Sequence, residues 1–225
     1  MGAGHPSGEM LVFGMRKIKF VNGEFYHVYN RGTDKRVVFQ DNEDFERFLQ
    51  SMEVFNTTQP VGSLFEYAFA DKKEKRWPKL VNIVCYCLNK NHYHLIFEQL
   101  VEGGISEFMK RIGGGFTNYF NFKNHRSGIL FQGRFKAAHI DSNEYLLHVS
   151  AYVSLNNQVH RRKGDKYRSS WQEYLGRTDK ALCFKDIILN QFKNKNEYRN
   201  FAENSLKSIL ERKDLLKELE IMLLD

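Results

Sequence analysis

His92 and His94 flank Tyr93 at the start of a segment, Tyr93–Gln99, that reads as a strand. Side chains at i and i+2 of a strand point to one face, so the two imidazoles stand side by side and can share a cation. Two ordinary histidines at a turn–strand junction explain the same spacing. Against that reading, a polar pair beside apolar strands is costly to desolvate without partners. A second constellation lies on Ser142–Asn157, read as a helix with Ser142 as its N-cap. There His148, Tyr152 and Asn156 fall at i, i+4 and i+8 on one face. A tyrosine hydroxyl is a candidate nucleophile, and an amide oxygen four residues on can complete a metal site. The chain has 11 tyrosines, so most must be packing residues; Tyr119 and Tyr145 are the helical competitors. His148 reads as a helix-surface residue.

Charge supplies a third signal. From Phe108 to Ile140 the basic residues are Lys110, Arg111, Lys123, Arg126, Arg134 and Lys136, with no acidic residue among them. Seven aromatics are interleaved, from Phe108 to Phe135. Cations neutralise phosphates and aromatic faces stack on unpaired bases, although several of these phenylalanines must be core. Arg161, Arg162, Lys163, Lys166 and Arg168 form a second basic cluster, read as nucleic-acid contact. Arg31, beside Gly32, fits either a simple turn or a cation aimed at phosphate. Gly113–Gly115 lacks the Lys-Ser/Thr ending of a phosphate loop and sits inside a helical pattern, so a close helix–sheet approach explains it better.

These side chains need a scaffold. Phe25–Arg31 is aromatic and β-branched, a strand ended by Gly32. Asn42–Phe55 carries apolar residues at three- and four-residue spacing, an amphipathic helix. Leu80–Leu88 and Tyr93–Gln99 make a hairpin, Gly103–Lys123 a helix, and Gly128–Ile140 a short hairpin around Gln132–Gly133. The order predicts an α+β, ferredoxin-like antiparallel sheet with helices packed on one face. Residues 1–14 read as a disordered leader, 15–160 as the main domain, 161–175 as a basic linker and 176–225 as a helical C-terminal extension.

With 34 Lys+Arg against 27 Asp+Glu, the net charge is +7, which points to an acidic partner such as nucleic acid or an anionic membrane. No run of about 18 apolar residues is present, and no basic amphipathic helix, so a membrane loses support. Three cysteines give no disulfide framework; Cys85 and Cys87, at strand spacing, read as small buried residues. A reducing cytoplasm fits.

Four motifs, in order, resemble the HUH single-tyrosine transposases, both insertion-sequence enzymes and the REP-associated tyrosine transposases. They are Phe25-Tyr26-His27-Val28-Tyr29-Asn30-Arg31-Gly32, Asn91-His92-Tyr93-His94-Leu95, Ser127–Lys136, and Tyr145-Leu146-Leu147 followed by Tyr152-Val153-Ser154-Leu155-Asn156. The resemblance covers about Arg16 to His160. It implies that His92 and His94 bind a divalent metal, that Tyr152 is the nucleophile, and that Asn156 adds a third ligand. It also implies cutting and rejoining of single-stranded or hairpin DNA through a 5′-phosphotyrosine. Imidazoles with amide and water oxygen favour Mg²⁺ or Mn²⁺ over Zn²⁺. Asn157 replaces the proline usual after that asparagine, so the helix end is expected to differ. Members of the family are homodimers or monomers. Two other readings stand beside this one: a hairpin-binding module that does not cut, and a metal hydrolase of small molecules.

Overall fold

The computed structural model describes residues 18–69, 77–159 and 166–222. The 1–14 leader and Arg161, Arg162 and Lys163 lie outside them. Elements follow in chain order: β1 (Phe25–Arg31), α1 (Asn42–Val54), α2 (Leu64–Phe69), β2 (Val81–Asn89), β3 (His92–Gln99) and α3 (Gly104–Lys123). Then come β4 (Lys136–Ile140), α4 (Asn143–Ser154), α5 (Asn156–Val159), β5 (Tyr167–Ser169), α6 (Trp171–Tyr174), α7 (Asp186–Leu189) and α8 (Lys195–Met222).

The sheet runs β4-β1-β3-β2-β5, every pair antiparallel. Its first four strands, with α1 and α3 as the crossovers, make the expected ferredoxin-like α+β layer. On one face Phe45, Phe48 and Met52 of α1 and Phe108, Ile112 and Phe116 of α3 pack against Val28, Leu95 and Phe97. Asp41 starts α1 with a reciprocal capping box to Asp44, which satisfies backbone donors the helix cannot.

Helices were expected on one face, but they cover both. α4 and α8 lie on the second, where Leu146, Val149 and Val153 meet Val84, Cys85 and Ile96, and Tyr198, Ala202 and Leu206 close the layer. The physical reason is β2, buried at every position from Val81 to Asn89 but Asn82. A near-continuous apolar strand needs cover on both sides. The C-terminal helix therefore clamps α4 onto the sheet.

Two other expectations are corrected. Gly128–Ile140 does not pair with itself: Phe131 bridges to Gly32, and Lys136–Ile140 pairs along β1. Nor is the basic segment all linker. Tyr167–Ser169 adds β5 to the edge of β2, a position where Arg168 can stay near water while its guanidinium lies 5.4 Å over the Phe45 ring. Among the described residues no helix is long and apolar enough to cross a membrane.

Candidate functional site

Strand register builds the site. Tyr29 lies opposite His94, and Arg31 opposite His92. These four side chains share one face because strands alternate. Helix α4 crosses that face and brings Tyr152. With Asn30, Gln132 and Lys136 they line a cavity of about 340 Å³. The serine read as the cap of this helix does that work, its Oγ accepting from Tyr145 N at 3.2 Å.

Hydrogen bonds fix the His92 tautomer. Asn91 Nδ2 donates to the Lys35 carbonyl at 3.1 Å, which turns Asn91 Oδ1 toward His92 Nδ1 at 2.7 Å. An amide oxygen only accepts, so Nδ1 carries the hydrogen and Nε2 keeps its lone pair. Asn89 Nδ2 agrees, donating to His92 Nε2 at 3.1 Å and to Asn156 Oδ1 at 2.9 Å. Two acceptors, His92 Nε2 and Asn156 Oδ1, thus face each other at 3.3 Å. Neighbouring ligands of an octahedral cation, at about 2.1 Å from it, stand about 3 Å apart, so the spacing suits a shared hard cation. Asn156 is fully buried, and among the described residues its Nδ2 has no hydrogen-bond partner.

His94 stands beside His92 on the same face. Its ring stands perpendicular to that of His92 with centroids 5.3 Å apart, and its Nδ1 lies 2.9 Å from His27 Nε2. Burial pulls the His27 pKa down to about 4, so that imidazole is neutral at pH 7. Tyr152 meets the His94 ring edge-on at 5.7 Å. Burial raises its pKa, and the neighbouring Asn156 amide opposes the rise. Among the described residues no group of three His, Cys, Asp or Glu could hold a metal ion; the candidate set here is two imidazoles and an amide oxygen.

α4 ends at Ser154, Leu155 caps it, and Asn156–Val159 add one more turn with Asn156 aimed at His92. His148 leaves this group: its Nδ1 lies 2.6 Å from Ser205 Oγ on α8. Of the competing tyrosines, Tyr119 donates to Asp44 at 3.0 Å, and Tyr145 is exposed away from the cavity.

A model of the family described as IS200-like transposase matches residues 25–156, more than half of the chain. The chain belongs to the IS200-like transposase family. This is the single-tyrosine family whose motifs the sequence carries. A REP-associated tyrosine transposase bound to a REP hairpin is similar in structure, with a TM-score of 0.52 and 14% identity over 76% of this chain and 91% of that one. At that identity the likeness speaks for the fold. None of the curated proteins matches.

The cations of this chain divide sharply. Arg31 and Lys136 line the tyrosine cavity. Arg134 and Lys110 line a larger groove across the sheet, Lys110 in an exposed pair with Glu107. Three others are held by protein groups. Arg111 donates to the carbonyls of Phe55, Thr57 and Gln59 and pairs with Glu107. Lys123 lies 2.8 Å from both Asp41 and Asp44. Arg126 donates to Asn121 and the Ile129 carbonyl and sits over the Phe120 ring. In the fold these three charges are shared with protein groups. Residues missed in the sequence are Tyr29, His27, Asn89, Asn91 and Gln132. The period of two from Arg31 could have found Tyr29 and His27; the other three depend on turns.

Proposed function

We propose that the protein cuts and rejoins single-stranded DNA, with Tyr152 as nucleophile and His92, His94 and Asn156 as the holders of Mg²⁺ or Mn²⁺. The observation that carries this reading is the convergence of His92 Nε2 and the buried Asn156 Oδ1 at 3.3 Å, with His92 lining the cavity that also receives Tyr152 and His94. A divalent ion held there supplies Lewis-acid polarisation of a phosphate oxygen.

The chain's own residues do the rest. Arg31 and Lys136 draw the phosphodiester into the cavity and neutralise it. His27 and Asn91 orient the two histidines from behind. Burial makes the Tyr152 phenol a reluctant acid, so nearby positive charge favours its ionisation. Attack forms an Oη–P bond and breaks the P–O3′ bond. The phenol gives up its proton and the departing 3′-oxygen takes one up. The product is a 5′-phosphotyrosine with a free 3′-hydroxyl. That ester keeps the phosphodiester energy, so a second 3′-hydroxyl can reverse the step without ATP. The hairpin in the similar transposase supports folded single strands as the substrate.

The test is a substitution pair on labelled hairpin strands with Mn²⁺. Tyr152→Phe should bind the strand and leave it whole, whereas His92→Ala should also lose Mn²⁺ binding. Full cleavage by Tyr152→Phe would end the assignment.

A further inference from the structure

The triple glycine of α3 remains unexplained by the cutting site. Gly115 has a packing reason, since a Cβ there would stand 3.3 Å from the Phe55 ring. Gly113 and Gly114 have none: among the described residues, a Cβ on either would meet nothing within 4 Å. Glycine weakens a helix interior relative to alanine, so two open glycines in mid-helix give up stability for no contact in the fold. What they provide is a bare stretch of helix. Lys110, Gly113, Gly114 and Thr117 share one helical face, and that face walls a groove of about 960 Å³.

The opposite wall is aromatic and basic. Phe20 and Phe135 are stacked there, with ring centroids 6.3 Å apart, and Lys19 and Arg134 stand beside them. Among the described residues lining the groove, Glu102 is the one acidic side chain. The floor is Tyr93 and Asn30, which pair across β1 and β3 between the Tyr29–His94 and Arg31–His92 pairs. By strand alternation the groove therefore backs directly onto the tyrosine cavity. Asn30 lines both, and the 132–136 arch passes between them: Gln132 and Lys136 face the cavity, Gly133, Arg134 and Phe135 the groove.

We infer that this groove is a second single-strand site, which takes unpaired nucleotides flanking the cut after the strand rounds the arch at Asn30. Bases enter between the aromatic wall and the bare helix, and Lys19, Lys110 and Arg134 meet the phosphates. The inference rests on the reading of the protein as a DNA-cutting enzyme.

The test uses the full chain and an oligodeoxynucleotide hairpin with single-stranded tails. Gly113→Gln with Gly114→Gln fills the groove from a helix face that has room for both side chains. Melting temperature should hold or rise by about 2–4 °C. Affinity for the tailed hairpin should fall about tenfold or more, the loss of a stacked base. A strand carrying 5-bromouracil in the tail should crosslink, on the wild type, to peptides containing Phe20 or Phe135. Unchanged affinity in the double variant, or crosslinks confined to β3 and α4, overturns the inference and leaves the cutting site standing. A wild type that binds no hairpin at any salt removes the underlying reading as well. Should the variant fold poorly, the wild-type crosslink decides alone.

Discussion

Replacing Lys123 by methionine separates a structural cation from a DNA contact. Lys123 Nζ lies 2.8 Å from Asp44 Oδ1 and 2.8 Å from Asp41 Oδ2, and Asp44 is wholly buried. Burial works against the ammonium, but hydrogen bonds to Asp41, Asp44 and Tyr119 outweigh it and hold its pKa well above that of an ordinary lysine. Removing one partner of a fully buried pair costs about 3–5 kcal/mol. Two features reduce that here. Asp44 keeps hydrogen bonds from Gln40 N, Asp41 N and Tyr119 Oη, and the Lys123 side chain is 24% exposed. We expect a loss of about 2 kcal/mol, or a melting temperature lower by about 4–8 °C in a chain of this size. A thermal melt reads this directly. A cycle with Asp44→Asn should give a coupling of about 1 kcal/mol or more, since the two side chains touch.

The pH dependence has a definite sign. The hydrogen bond from Lys123 holds Asp41 below its ordinary value of 3.8, so this contribution is full above that value. It is lost as pH falls through the depressed value, and the gap between wild type and variant should narrow in acid. An unchanged melting temperature together with weakened DNA binding would refute the reasoning and return Lys123 to the phosphate surface.

Other outcomes are expected. Arg111→Ala should destabilise the protein by about 2 kcal/mol with DNA affinity retained, because its Nη1 caps three carbonyls beyond α1; denaturant melts and anisotropy together check both halves. Asn156→Ala should weaken Mn²⁺ binding, followed by electron paramagnetic resonance, with the hairpin still bound; equal Mn²⁺ affinity would remove Asn156 from the donor set. Cys85 and Cys87 should resist thiol reagents at pH 8 in the native state, since both are buried and burial pushes Cys87 up to about 12 and Cys85 well above its usual value. Rapid labelling of either would contradict the packing of α4 on β2.

What the sequence revealed followed the range of the interaction. Strand and helix periods located β1, β2, β3, α1 and α3 to within a residue, and α4 to within three, because each carries its own apolar pattern. The partner of Lys136–Ile140 is β1, over a hundred residues earlier, and no local pattern encodes that pairing. β5 is three residues long and polar, below any periodic signal. The cover on both faces was visible in principle, since Val81–Leu88 is apolar almost throughout. His92, Tyr152 and Asn156 could be named from motif and helical spacing, but only the fold brings Asn156 Oδ1 to His92. Charges were the least legible. Arg111 and Lys123 look like free cations in a stretch without acids, yet their partners sit on α1 and the loop after it.

The central claim concerns one oxygen atom. Incubation of the protein with a labelled hairpin single strand and Mn²⁺, followed by a denaturing gel and mass spectrometry of the retained species, tests it most directly. The expected product is a covalent adduct whose modified peptide carries the phosphate on Tyr152, with a free 3′-hydroxyl on the released fragment. Tyr29 lines the same cavity and serves as the internal control. Cleavage without an adduct, or an adduct on Tyr29 with Tyr152 unmodified, would contradict the account.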